Sequence, residues 1–159
     1  MAITALDDRG REELLALDAT LASLGVERLL VARHGLRQRH GGCYSPFSNN
    51  LFISDRVALH PTQLLTVLRH EGWHSVQDCR GGGLDSRRSR PAMDPTELSP
   101  LVLEALDPRR FPDKAIWLLE VEAHSAAMEP GRTLQALGSC STNGKMGNPA
   151  DARQVVPPL

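Results

Sequence analysis

The chain has 159 residues, enough for one domain with a real hydrophobic core. Hydrophobic residues make up 41% and charged residues 23%, a globular, soluble balance. The formal net charge of −1 excludes a strong field toward nucleic acid or anionic membrane.

Aromatics, at 4%, are too few for a base-stacking surface. No apolar run approaches the ~20 residues that span a bilayer. The opening MAITALDDRGREE has neither a basic n-region nor an apolar h-region, so no secretory signal is expected. GREELLALDATLASL, 10–24, spaces Leu14, Leu17, Leu21 and Leu24 at helical intervals, and Gly25 stops it. ERLLVAR, 27–33, is short and branched enough for a strand. GGCYSPFSNNLFIS, 41–54, reads as a hairpin turned by Ser45-Pro46 and Ser48-Asn49-Asn50.

PTQLLTVLRHEGWHSVQDC, 61–79, reads as a helix with Pro61 at its first position. Leu64, Leu68, Gly72 and Val76 form one stripe, and Val67, His70, His74 and Gln77 another about 100° round. The loop 80–95 follows, glycine-rich and bearing Arg80, Arg87, Arg88 and Arg90; it reads as solvated rather than as a flap selecting acidic segments. Ser99 caps a short helix, PLVLEAL. A longer helix, PDKAIWLLEVEAHSAAM, spans 112–128, and RTLQAL adds a turn or two. The small, polar residues 139–159 form a poorly ordered tail after a single domain, 1–138. Cys43, Cys79 and Cys140 are odd in number and lack C-x-x-C spacing. They read as free thiols in a reducing, cytoplasmic setting.

HEGWH, 70–74, carries the chemistry. Residues four apart on a helix share a face, roughly 6 Å apart along the axis, so two imidazoles can converge on one zinc ion. Glu71, turned about 100° away, can instead reach a metal-bound water as general base. Chance alone puts H-E-x-x-H in roughly one such chain in a hundred, so a third ligand must be sought. Glu120, Ala123-His124 and Ala127 share one face of the downstream helix, with alanines that permit close approach. Glu120 and Glu122 differ by about 200° round the axis, so only one is expected to point inward. Glu120, on the face of His124, is chosen as the third ligand, with Glu122 as the alternative; the bland reading is that both are solvated helix charges. Trp73 and Trp117 read as core or wall residues, and Gln77 either lines the cleft or is solvated, the latter slightly favoured. Cys79 lies too far along the helix for the same metal.

HEGWH with the downstream Glu120-Val-Glu-Ala-His124 resembles the gluzincin branch of zinc metallopeptidases, where H-E-x-x-H is followed by a helix carrying E-x-x-x-D or E-x-x-A-D. The resemblance covers roughly 27–79 and 112–127. It implies an α+β, minimal zincin-like fold: a short antiparallel sheet with an edge-strand hairpin, packed on the H-E-x-x-H helix and a second Glu-bearing helix. It implies Zn2+ on His70, His74 and Glu120, with Glu71 as general base in peptide-bond hydrolysis. His124 replaces the aspartate that orients the first histidine, which removes a fixed negative charge. Tyr44 and His124 are the candidate oxyanion donors, with Arg69 behind them, although structural packing is an equally good reading of Tyr44. A peptide or protein substrate would pair along the backbone of Gly41 to Tyr44, left accessible by its small glycines. No nucleic-acid or membrane partner is expected. A catalytically inactive peptide-binding module on the same fold is the alternative. The run His70 to Cys79 is also similar to small bacterial proteins with H-E-x-W-H-x-x-Q-D-C, a likeness that implies no substrate.

Overall fold

The computed structural model describes residues 6–32, 41–84 and 88–140. Helix α1, Asp8–Ser23, is capped by Asp7, whose side chain accepts from the Gly10 N–H at 2.7 Å. Leu17 and Leu21 on its inner face are fully buried. Gly25 turns the chain at φ 78°, a left-handed conformation that favours glycine, into β1, Glu27–Val31. The hairpin follows as β2, Gly42–Ser45, and β3, Asn50–Ser54.

The sheet is mixed rather than antiparallel. Its order is β1-β3-β2, with β3 antiparallel to β2 and parallel to β1. β3 carries Leu51, Ile53 and Ser54 buried, so burial puts it at the centre between its two partners. β2 is left at the edge.

A single turn, α2, Asp55–Ala58, was not foreseen. It leads into α3, Pro61–Arg80, the H-E-x-x-H helix, with proline in its first turn. After two short 3-10 turns (Pro95–Glu97 and Pro108–Arg110) and α4, Pro100–Ala105, the chain enters α5, Lys114–Met128. Asp113 caps α5 by accepting from the Ile116 N–H at 2.8 Å. Gly131, at φ 77°, turns α5 into α6, Arg132–Leu137. α3 is the hub: α1, α5, α6 and β2 all pack on it. One apolar cluster runs from Leu17 and Leu21 through Leu68, Trp73 and Val76 to Ala123, Ala126 and Leu137. The alanines of α5 let the two long helices approach closely, as their spacing implied.

Cys79 and Cys140 are not free thiols. They form a disulfide across 61 residues, and only Cys43 remains free among the described residues. The fold brings them together from the ends of α3 and α6, which no local spacing could show. The bond removes the argument for a reducing compartment. It also ties Ser139 and Cys140, expected in the tail, to the packed body; 141–159 lie outside the described residues. Among the described residues no helix is long and apolar enough to cross a membrane.

Candidate metal centre

α3 sets His70 and His74 one turn apart, and α5 brings Glu120 across to them. Glu120 Oε2 lies 3.4 Å from His70 Nε2, and Glu120 Oε1 lies 3.4 Å from His74 Nε2. Ligand atoms of His70, Glu71 and His74 lie within 4.8 Å of one another, as do those of His70, Glu120 and His124. The His124 ring stands 4.3 Å from the His70 ring, centroid to centroid. The donor set is nitrogen and carboxylate oxygen, which suits zinc and other divalent cations.

Burial disfavours a charged Glu120, yet hydrogen bonds from His70 and His74 outweigh it and hold the carboxyl well below the usual range. Burial likewise works against a charged His74. The hydrogen bond to Glu120, the charges of Glu71 and Glu120 and the bond to Gln77 together raise its pKa. A cluster that attracts protons this way also attracts cations.

Glu71 is buried, 7% exposed, and its Oε2 accepts the backbone N–H of Tyr44 at 2.8 Å. Ser54 N–H donates to Gly41 O, so Gly41, Cys43 and Ser45 face β3, while Gly42 and Tyr44 turn their backbone groups outward. Glu71 therefore takes one outward amide of the edge strand. The glycines also permit this close approach. A Cβ on Gly42 would stand 2.6 Å from Val67 Cγ1 and 3.0 Å from Glu71 Cγ.

Two cavities flank the cluster and share Gly42, His70, Glu71 and Glu120. One, of about 320 Å³, continues past Cys43, Ile116 and Leu119. The other, of about 210 Å³, continues past Val67, His124 and Ala127. Among the described residues, no arginine or lysine lines either cavity.

Several expected roles move. The Tyr44 hydroxyl does not face the cluster. It donates within the core, 3.0 Å from Asp78 Oδ2 and 2.9 Å from Asn49 Oδ1, because β2 alternation turns that side chain inward. Burial and the Asp78 charge push its phenol well above the ordinary range. Arg69 turns away to Glu13, with Nε 2.8 Å from Oε1, and Glu13 Oε1 also accepts the Gly131 N–H at 2.8 Å. That bond network locks α1, α3 and the α5–α6 corner together.

Glu122 is not solvated. It is 1% exposed and accepts four N–H donors: Trp73 Nε1, Gln77 Nε2, Ala92 N and Met93 N. Both α5 glutamates thus engage α3, Glu120 at His70 and His74 and Glu122 at Trp73 and Gln77. Long side chains reach round the helix axis where Cβ directions alone would not. Gln77 is fully buried, not solvated. The loop after α3 is pinned at its far end, since Arg90 N donates to Gln77 O at 2.9 Å. His34, His40 and Arg87 lie outside the described residues.

The sequence signal for these partners was Trp73 inside the motif with Gln77, Asp78 and Cys79 just beyond it. Each has a long-range partner: Glu122, Glu122 again, Tyr44 and Cys140. No protein-family model, no curated protein and no solved structure matches this chain.

Proposed function

We propose that the chain is a zincin-like, gluzincin-type zinc-dependent metalloendopeptidase. The observation that carries this reading is Glu120 set between His70 and His74, with buried Glu71 beside them. His70, His74 and Glu120 would hold zinc. When bound there, the ion supplies an acidified water and a positive charge for the developing oxyanion.

The chain's own residues do the rest. The Tyr44 N–H fixes Glu71 Oε2, which leaves Oε1 to take the proton of the attacking water and pass it to the leaving amine. An extended peptide laid along β2 finds the outward backbone groups of Gly42 beside the cluster. Cavities on both sides accommodate chain before and after the scissile bond. His124, beside His70, is the side chain placed to donate to the oxyanion.

Glu71→Gln tests the base. It is expected to keep zinc and to lower peptidase turnover at least about 100-fold, the scale of a lost general base. Activity unchanged in a zinc-loaded Glu71→Gln protein would end the proposal.

A second reading rests on the His70, Glu120, His124 group. If His124 completes a fourth protein ligand, the site is closed and structural, and the chain is a peptide-binding module. Zinc-loaded protein inert on peptide libraries, with His124→Ala losing zinc, would favour it.

A further inference from the structure

We propose that Gln77, fixed by Glu122, is a positioning residue that sets the tautomer of His74 and so presents a bare Nε2 to the cation. The inference deepens the metal-centre reading and rests on it.

Glu122 anchors the Gln77 amide. Its carboxylate Oε2 lies 2.9 Å from one terminal atom of the Gln77 amide, and the Leu119 carbonyl oxygen lies 2.9 Å from the same atom. The Leu119 carbonyl can only accept. The other three partners of the Glu122 carboxylate, Trp73 Nε1, Ala92 N and Met93 N, are N–H donors, so this carboxylate acts as an acceptor. The Gln77 atom between them must be the NH2 group, because an amide oxygen there would face two acceptors. The other end of the amide is then the oxygen. It lies 2.8 Å from His74 Nδ1. An amide oxygen only accepts, so Nδ1 carries the proton.

The consequence falls on the opposite side of the ring. A neutral imidazole has one N–H, so Nε2 carries none and offers its lone pair. Nε2 is the atom beside Glu120 Oε1. Without Gln77, the Glu120 carboxylate would draw the proton onto Nε2 and block the ligand atom. Glu122 also holds Ala92 N and Met93 N, so the anchor that fixes Gln77 is itself fixed by the loop beyond α3.

The test uses the full chain, metal-free and then titrated with zinc alone. Nitrogen NMR of the imidazoles is recorded at a pH where the His74 shifts report a neutral ring. The wild-type His74 is expected as the Nδ1–H tautomer before any metal is added. Gln77→Ala is expected to move the proton to Nε2 and to weaken zinc binding 10- to 100-fold. Gln77→Leu keeps the buried volume and gives the same shift if the alanine variant fails to fold. Glu122→Gln is expected to give a mixed tautomer and a smaller loss.

A wild-type Nε2–H ring, or an unchanged tautomer in the folded Gln77 variants, would overturn the inference while leaving the metal-centre reading intact. A correct Nδ1–H tautomer in a protein that binds no zinc would overturn that reading, and with it the role assigned to Gln77.

Discussion

Glu120 turns one carboxylate oxygen to each histidine, Oε1 to His74 and Oε2 to His70, both at 3.4 Å from Nε2. While His74 is protonated, below its raised pKa, this arrangement holds a proton where a cation would sit. Burial opposes a charged His74, but Glu120 and Glu71 raise its pKa above the usual imidazole value of about 6.5. The sign is fixed by that direction. Protonated His74 stabilises the apo fold below the ordinary value, and that share is lost as pH rises through the raised one. Zinc must displace the same proton. Its affinity is expected to fall as pH drops, beginning above about pH 6.5. Zinc titrations across pH 5–9 check this, and a flat profile would contradict it.

Gly42→Ala probes the approach of β2 to α3. The added methyl would meet Val67 Cγ1 at 2.6 Å and the Phe52 carbonyl oxygen at 3.1 Å, so strand or helix must shift. A loss of about 1–3 kcal/mol is expected from denaturant unfolding. Zinc content should stay near wild type while turnover drops, because the displaced contact is Tyr44 N–H to Glu71.

Glu13 supplies an acid-side dependence. Burial raises its pKa, but the hydrogen bonds from Arg69 and Gly131 outweigh this and lower it. Its stabilisation is therefore complete above the unfolded value of about 4.3 and is lost as pH falls through the lower folded one. Glu13→Gln is expected to cost about 2 kcal/mol near neutrality, by leaving Arg69 without its charged hydrogen-bond partner. It should also flatten the stability curve below about pH 4, whereas a variant as acid-sensitive as wild type would place the effect elsewhere.

The helices, the hairpin and the trio His70, Glu71, His74 were legible because each depends on local spacing. Glu120 was legible because Ala123, His124 and Ala127 marked its face. Glu122 was not, since a lone glutamate gives no sign of the Trp73, Gln77, Ala92 and Met93 donors waiting for it. The Tyr44 hydroxyl was misplaced because strand alternation fixes two opposite directions but not which of them is inward. The parallel pairing of β1 with β3 and the Cys79–Cys140 bond are tertiary facts. They follow from which surfaces α3 gathers, not from any run of residues.

Cys140→Ser measures that last tie. Removing a cross-link over 61 residues frees unfolded-chain entropy worth about 4 kcal/mol. Melting of the variant, and of wild type with reductant, should fall together and by a similar amount. Wild-type melting indifferent to reductant would show the thiols unpaired.

The most direct test of the account is metal content, by elemental mass spectrometry, of protein purified without a histidine tag, beside His74→Ala and Glu120→Ala. About one zinc per chain is expected in the wild type, lost or greatly weakened in both variants while each stays folded. A wild-type protein that takes up no zinc even after reconstitution, or a Glu120→Ala variant that keeps it fully, would contradict the three-ligand centre.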